Sequence, residues 1–158
     1  MLLIAICIYA VSMTLANLLV TMFGPSITPL NAFVLIGLDL ALRDWLHIKL
    51  KPWQMGTLII GSGLLTYAFN PEAGQIAFAS ACAFTVSSLV DWATFAKLKG
   101  SWLIRANGSN IAGAAIDSLL FPTIAFGSLM PEIVAAQFIA KTVGGAAWAY
   151  LLKNRMPT

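Results

Sequence analysis

The sequence predicts an all-α integral membrane protein, a bundle of six transmembrane helices with both termini in the cytoplasm. Three observations carry this reading. Of the 158 residues, 59% are hydrophobic and only 9% are charged, with a mean hydropathy of +0.87. Soluble domains are about 25% charged, so too little polar surface exists to coat a water-facing shell. Apolar runs recur at lengths that suit a bilayer, where about 30 Å of hydrocarbon takes roughly 20 helical residues. Finally, the cations gather in alternate connections between those runs.

The runs fall at about 2–23, 29–47, 53–70, 74–96, 109–128 and 132–152, and together they predict a single transmembrane domain over residues 1–158. Gly24-Pro25 and Pro29 end the first and open the second. Pro52 opens the third, and Asn70-Pro71 closes it. Gly100 follows the fourth, Asn107-Gly108 precedes the fifth and Pro131 opens the sixth. In lipid every backbone polar group must be bonded internally, which leaves helices or a closed barrel. No run alternates with the period of two that a barrel needs, so helices are predicted. The first run reads as a span rather than a cleaved signal peptide. It lacks a basic n-region and exceeds the usual apolar core of about 7–15 residues.

Orientation follows from the cations. Arg43, Lys49 and Lys51 flank the second junction; Lys97, Lys99 and Arg105 lie between spans four and five; Lys153 and Arg155 follow span six. The other connections carry Glu72 and Glu132 and neither Lys nor Arg. The positive side is cytoplasmic, which places both termini there and the protein in the inner membrane. The net charge of +3 is thus accounted for by topology, and no nucleic-acid partner is predicted. Trp45, Trp53, Trp92, Trp102 and Trp148 cluster toward the same ends, as an interfacial belt does.

Catalytic patterns are missing. The single histidine, His47, stands at a helix end beside a basic loop, and there is no HExxH, P-loop, nucleotide-binding glycine pattern or nucleophile elbow. Cys7 and Cys82 sit in apolar spans without metal-ligand spacing. An enzyme, a cofactor and a metal are therefore not predicted.

Function has to be read from polar groups placed where they cost energy. A charge at a helix centre costs about 2.5–3.5 kcal/mol on insertion scales and usually faces a cavity or a partner. Four such residues stand in the predicted spans: Asp39, Asp91, Asp117 and Lys141. Asn17 and Gln137 join them. The predicted orientation puts the three acids in the cytoplasmic halves of their helices and Lys141 near mid-depth. Asp39 and Arg43 are one turn apart and suited to pairing; Asp117 is suited to pairing with Lys141 or Arg105. The small residues Gly113-Ala114-Ala115 and Gly144-Gly145-Ala146-Ala147 predict close packing of helices five and six.

One segment is more specific: Arg105-Ala-Asn107-Gly108-Ser109, then Ile116-Asp117-Ser118-Leu-Leu-Phe121, then Ile124-Ala125-Phe126-Gly127. It resembles the signature of the queuosine precursor transporter family, also labelled VUT for vitamin uptake transporter. Ala16-Asn17, Ser88-Leu-Val-Asp91 and Gln137-x-x-x-Lys141 agree with it. The resemblance covers nearly the whole chain, most specifically residues 85–145, and the short length marks a compact variant. At Gly37–Trp45 the chain departs from the acidic, glycine-containing helix end of longer members. The resemblance implies import of 7-cyano- or 7-aminomethyl-7-deazaguanine, precursors of a modified tRNA nucleoside. The arrangement also resembles the six-helix substrate-binding subunits of energy-coupling-factor importers.

The residues suit such a substrate. A deazaguanine presents a ring N–H and an exocyclic amine side by side, and a carboxylate accepts both. Asp117 is the first candidate for that role and Asp91 the second. Asn17, Asn107, Ser109 and Ser118 are candidates for the other polar edges, with Asp39 and Gln137. Phe121, Phe126 and Trp92 are candidates to stack on the ring. Arg105 either holds the loop after helix four against the site or is an ordinary cytoplasmic anchor. Lys141 is suited to neutralising Asp117 until substrate displaces it. Three mechanisms follow: a stand-alone carrier, a capture subunit needing a separate ATPase, or, less favoured, a membrane enzyme. The expected partners are a small purine-like base and the lipid bilayer, and a homodimer is compatible with so small a bundle.

Overall fold

The computed structural model describes residues 2–152, those of Asp44 and His47 by backbone only. Lys153 and Arg155, invoked above for orientation, lie outside the described residues. Among the described residues the fold is all helix, with no strand.

Helix α1 is Leu2–Phe23. Gly24, at φ +68°, breaks it in a conformation that costs glycine nothing, and a short 3₁₀ turn, Gly24–Ile27, follows. The next helix, α2, runs over residues 28–49 and is irregular at its start. One α turn, Thr28–Asn31, leads into a π turn, Ala32–Ile36, before regular helix from Gly37–Lys49. Helix α3 is Pro52–Phe69, α4 is Gly74–Lys97, α5 is Trp102–Phe126 and α6 is Pro131–Leu152.

Three helical stretches are long and apolar enough to cross a membrane: Leu2–Arg43, Pro71–Lys97 and Trp102–Phe126. The first, at 42 residues, would extend about 63 Å if straight, twice a bilayer core. It instead reverses at the Gly24 turn, because Asn31 Nδ2 on α2 donates to the Ala16 carbonyl of α1 at 3.0 Å. Helices α3 and α6 fall outside those three stretches; they bury Ser62 and Thr66, and Gln137 and Lys141, respectively.

The predicted boundaries hold closely for five helices, and the fifth differs. Asn107-Gly108 does not precede α5 but lies inside it. Ser101 caps that helix instead, its Oγ accepting from the Ile104 N–H at 3.4 Å. Seven more residues are therefore helical. Asp117 then stands fifteen residues after Trp102 and nine before Phe126. It lies past the middle of the helix, away from the end carrying Lys97 and Lys99, and not in the same half as Asp39 and Asp91.

A second correction concerns the glycines. Helices α5 and α6 do pack together, but Gly144 lies against α2, and Gly145 sits between the two, its would-be Cβ 3.7 Å from Asn110 Nδ2 of α5 and 3.9 Å from the Gly37 carbonyl of α2. A Cβ on Gly37 would lie 2.7 Å from the Gly144 carbonyl carbon, and one on Gly144 would strike the Phe33 carbonyl oxygen. Gly113 of α5 instead faces α4 and Arg43, with 2.8 Å from its would-be Cβ to Arg43 Nη2 and 3.2 Å to Asp91 Cβ. Small residues let helices approach, but partner choice depends on which faces meet.

Arg43 is the third correction. Its position in the sequence predicts a cytoplasmic flank, yet its side chain is fully buried. Lys49, Lys51, Lys97 and Lys99 are the exposed cations at that end. Among the tryptophans, Trp53 and Trp92 face outward, Trp45 is core, and Trp148 donates to the Val34 carbonyl within the π turn at 3.0 Å.

Candidate substrate cavity

Two buried polar layers stack along the bundle. The layer farther from the exposed lysines centres on Lys141 of α6 and Asp117 of α5. Lys141 Nζ lies 2.6 Å from Asp117 Oδ2 and donates to Gln137 Oε1 at 2.7 Å. A lysine can only donate, so this contact fixes the Gln137 amide with its oxygen on Lys141 and its nitrogen outward. Gln137 and Lys141 are one turn apart, which stacks them on a single face. Asp117 Oδ1 and Gln137 Nε2 engage no hydrogen-bond partner among the described residues. One acceptor and one donor are thus held, buried and unspent, beside the ion pair.

These groups line a small cavity together with Asn17, Asn31, Thr28 and Ser80; Phe84, Phe121, Ala16 and Val20 supply apolar wall. Asn17 Nδ2 donates to Thr66 Oγ1 at 3.3 Å, and Thr66 in turn bonds the Ser62 carbonyl. Five helices, α1, α2, α4, α5 and α6, contribute side chains, and α3 supports Asn17 from behind. The irregular start of α2 turns Thr28, Asn31, Ala32 and Ile36 to this space. π turns of this kind recur at functional positions in helices. On the α5 side Pro122, within the helix, cannot donate to the Ser118 carbonyl and loosens the ladder one turn from Asp117. The cavity encloses about 20 Å³, enough for a water and far below the roughly 300 Å³ at which small-molecule pockets begin. The conformation is closed.

The second layer lies nearer the exposed lysines. Arg43 Nε stands 3.4 Å from Asp91 Oδ2, and Arg43 Nη1 donates to Ser87 and Ser88 Oγ, each at 3.2 Å. Asp39, one turn before Arg43, is fully buried here. Arg43 thus bonds across to Asp91 of α4.

Of the predicted site residues, the fold brings Asp117, Lys141, Gln137, Asn17 and Phe121 to one cavity. Phe126 meets Phe121 edge-on, with centroids 6.2 Å apart, and backs the wall. Ser118 is buried beside Asp117 without lining the space. Asp91 and Asp39 belong to the other layer. Ser109 bonds the Ala106 carbonyl, and Asn107 lies on the same turns of α5, outside the cavity lining. Arg105 donates through Nε and Nη2 to the Phe95 carbonyl, both at 3.1 Å, and lies 4.0 Å from the Phe95 ring centroid. It clasps the end of α4 rather than the cavity. Trp92, 56% exposed, borders an apolar outer groove with Met55, Ile59 and Leu89. That groove is roomier than the inner cavity but carries no charged group. Thr28, Asn31, Ser80 and Thr66 are not among the candidates named from the sequence, being uncharged and outside the segments that carry the family resemblance. Thr28 and Asn31, three apart beside Pro25 and Pro29, were the available signal.

A family model described as "Putative vitamin uptake transporter" matches residues 3–152. The chain belongs to this family. No curated protein and no solved structure gives a match. The vitamin uptake transporter assignment spans every helix described above and makes the protein a membrane transporter. In a transporter of this family, a closed cavity lined by an ion pair and three carboxamides is the first place to look for a substrate site.

Proposed function

We propose that this vitamin uptake transporter imports 7-deazaguanine bases, the cyano or aminomethyl precursors of queuosine, across the cytoplasmic membrane. It does so through six spans with both termini inside, and the cavity between Asp117 and Lys141 is the substrate site. The buried Asp117–Lys141 pair, bordered by unspent Asp117 Oδ1 and Gln137 Nε2, is the observation that carries the reading. A deazaguanine offers two parallel donors and, next to them, a carbonyl. Asp117 accepts the two donors, and Gln137 Nε2 donates to the carbonyl. Lys141 releases Asp117 as substrate arrives. Phe121 offers a ring face, a kind of contact worth about 1–3 kcal/mol per base elsewhere.

The closed volume means that α2 and α6 must separate from α5 to admit a bicyclic base. The irregular turns at residues 24–36 are the weakest part of that wall. A stand-alone carrier is favoured over a capture subunit by α1. Its outer face presents large side chains, Leu3, Ile4, Ile8, Val11 and Leu15, while Ala5 and Ala16 are buried. A small-residue patch for docking a partner helix is not formed there.

Equilibrium binding tests the assignment. Purified protein should bind 7-cyano-7-deazaguanine, and Asp117→Asn, which turns one acceptor oxygen into a donor, should weaken binding at least tenfold. Undiminished affinity in Asp117→Asn would remove Asp117 from the site.

A further inference from the structure

The second polar layer plays no part in the proposed substrate site, and its charges do not balance. Asp39 is wholly inaccessible, and neither of its carboxyl oxygens has a hydrogen-bond partner. The groups within electrostatic reach of it are Tyr9 from α1 and Arg43 on its own helix; Arg43 in turn contacts Asp91 of α4, and Asp117 of α5 and Lys141 of α6 form the other layer. Helix α3 contributes no charged side chain. Tyr9 lies within electrostatic reach of Asp39, Arg43 and Asp117. Arg43 is ion-paired with Asp91 and also within electrostatic reach of Asp39, and Lys141 is ion-paired with Asp117. Each base in these two layers has its own acid, and Asp39 is the acid in excess.

An ionised carboxylate taken out of water without hydrogen bonds is among the costliest groups a protein can bury, and such groups normally neutralise. Neutralisation by a metal ion is ill-suited here. No group of three or more carboxylate, histidine or cysteine side chains among the described residues could hold one, and the Arg43 guanidinium stands beside the layer. A proton needs one oxygen and no cage.

We infer that Asp39 is a proton-binding site, separate from the substrate cavity, that is loaded in the closed conformation. The step is a simple acid dissociation. The Oδ–H bond of Asp39 forms with a proton from water and breaks to return it, with nothing oxidised or reduced. The site lies ten residues before Lys49, the end of α2 nearest the exposed lysines. Opening on that side wets Asp39, offers it hydrogen bonds and lets the proton go. Resting on the import reading above, this makes substrate entry proton-coupled, with base and proton carried in different layers of one bundle.

Infrared spectroscopy of the reconstituted protein tests the site without any substrate. Wild type at neutral pH should show the carbonyl stretch of a protonated, unbonded carboxylic acid that shifts in D₂O. Asp39→Asn should lose that band and Asp39→Glu should move it, the latter guarding against an effect of misfolding. No such band in wild type, or a band unchanged in both variants, would overturn the inference. In the same vesicles an imposed pH gradient should drive accumulation of 7-cyano-7-deazaguanine severalfold in wild type, with Asp39→Asn only equilibrating it. Gradient-driven accumulation by Asp39→Asn would equally overturn the coupling. If wild-type vesicles take up no base at all, the import reading fails, and the infrared result alone decides Asp39.

Discussion

Lys141 Nζ sits 2.6 Å from Asp117 Oδ2, both side chains sealed from outside the bundle, and the wall of the inner cavity carries both charges. Removing one partner of a buried pair leaves an uncompensated charge and costs about 3–5 kcal/mol, whereas replacing both by neutral groups of similar size is often harmless. Lys141→Met should therefore lower thermal stability in detergent sharply. The double variant Asp117→Asn, Lys141→Met should recover most of the loss. It should still fail to bind substrate, because the two-oxygen acceptor is gone. A double variant as unstable as the single one would mean that the pair is not what stabilises this layer.

The α2–α6 contact rests on glycine. Gly144→Ala would drive a methyl into the Phe33 carbonyl, and backbone cannot give way as a side-chain tip can. A loss of at least about 1–3 kcal/mol is expected, the range of overpacked cores. Gly61→Ala, whose Cβ would meet nothing within 4 Å, should be neutral or stabilise by roughly 0.5–1 kcal/mol. Comparing the two melting temperatures checks the packing directly; equal shifts would contradict it.

Arg105 separates a clasp from a ligand-binding role. Its guanidinium ties α5 to the Phe95 carbonyl of α4, a charged hydrogen bond of a class worth about 1.5–3 kcal/mol, less here because the side chain is only partly buried. Arg105→Ala should lower stability while leaving the substrate dissociation constant within twofold. A tenfold loss of affinity at full stability would return Arg105 to the site.

Phe121 and Trp92 make a matched pair for the stacking claim. Phe121 lines the cavity and Trp92 faces outward. Phe121→Ala should weaken base binding about tenfold or more, and Trp92→Ala should leave it unchanged. The reverse order, read by equilibrium binding on both variants, would move the site to the outer groove.

Much of this was legible in the residues because lipid imposes simple rules. Helix ends followed from Pro25, Pro52, Asn70-Pro71 and Pro131, and the Asp117–Lys141 partnership from the expense of burying either alone. What failed has physical reasons. Asn107-Gly108 is a breaker pair, but Ser101 offers an earlier cap, so α5 starts there and Asp117 moves past mid-helix. Arg43 looks like a flank cation by position. Its inward direction depends on Gly113, which leaves room for the guanidinium beside Asp91. Gly144-Gly145 announced a close contact without naming α2 as its partner. Asn31 and Thr28 face the cavity from the α turn that precedes the π turn Ala32–Ile36, and one sequence gives little warning of that irregular start.

Uptake in cells tests the central claim most directly. The chain is expressed alone in a bacterium unable to make queuosine precursors, supplied with nanomolar 7-cyano-7-deazaguanine, and queuosine in its tRNA is measured. Restored modification that disappears with Asp117→Asn, at equal membrane expression, is the predicted result. Modification that persists in Asp117→Asn, or that never appears with a well-inserted wild-type protein, would contradict a stand-alone importer built around Asp117 and Lys141.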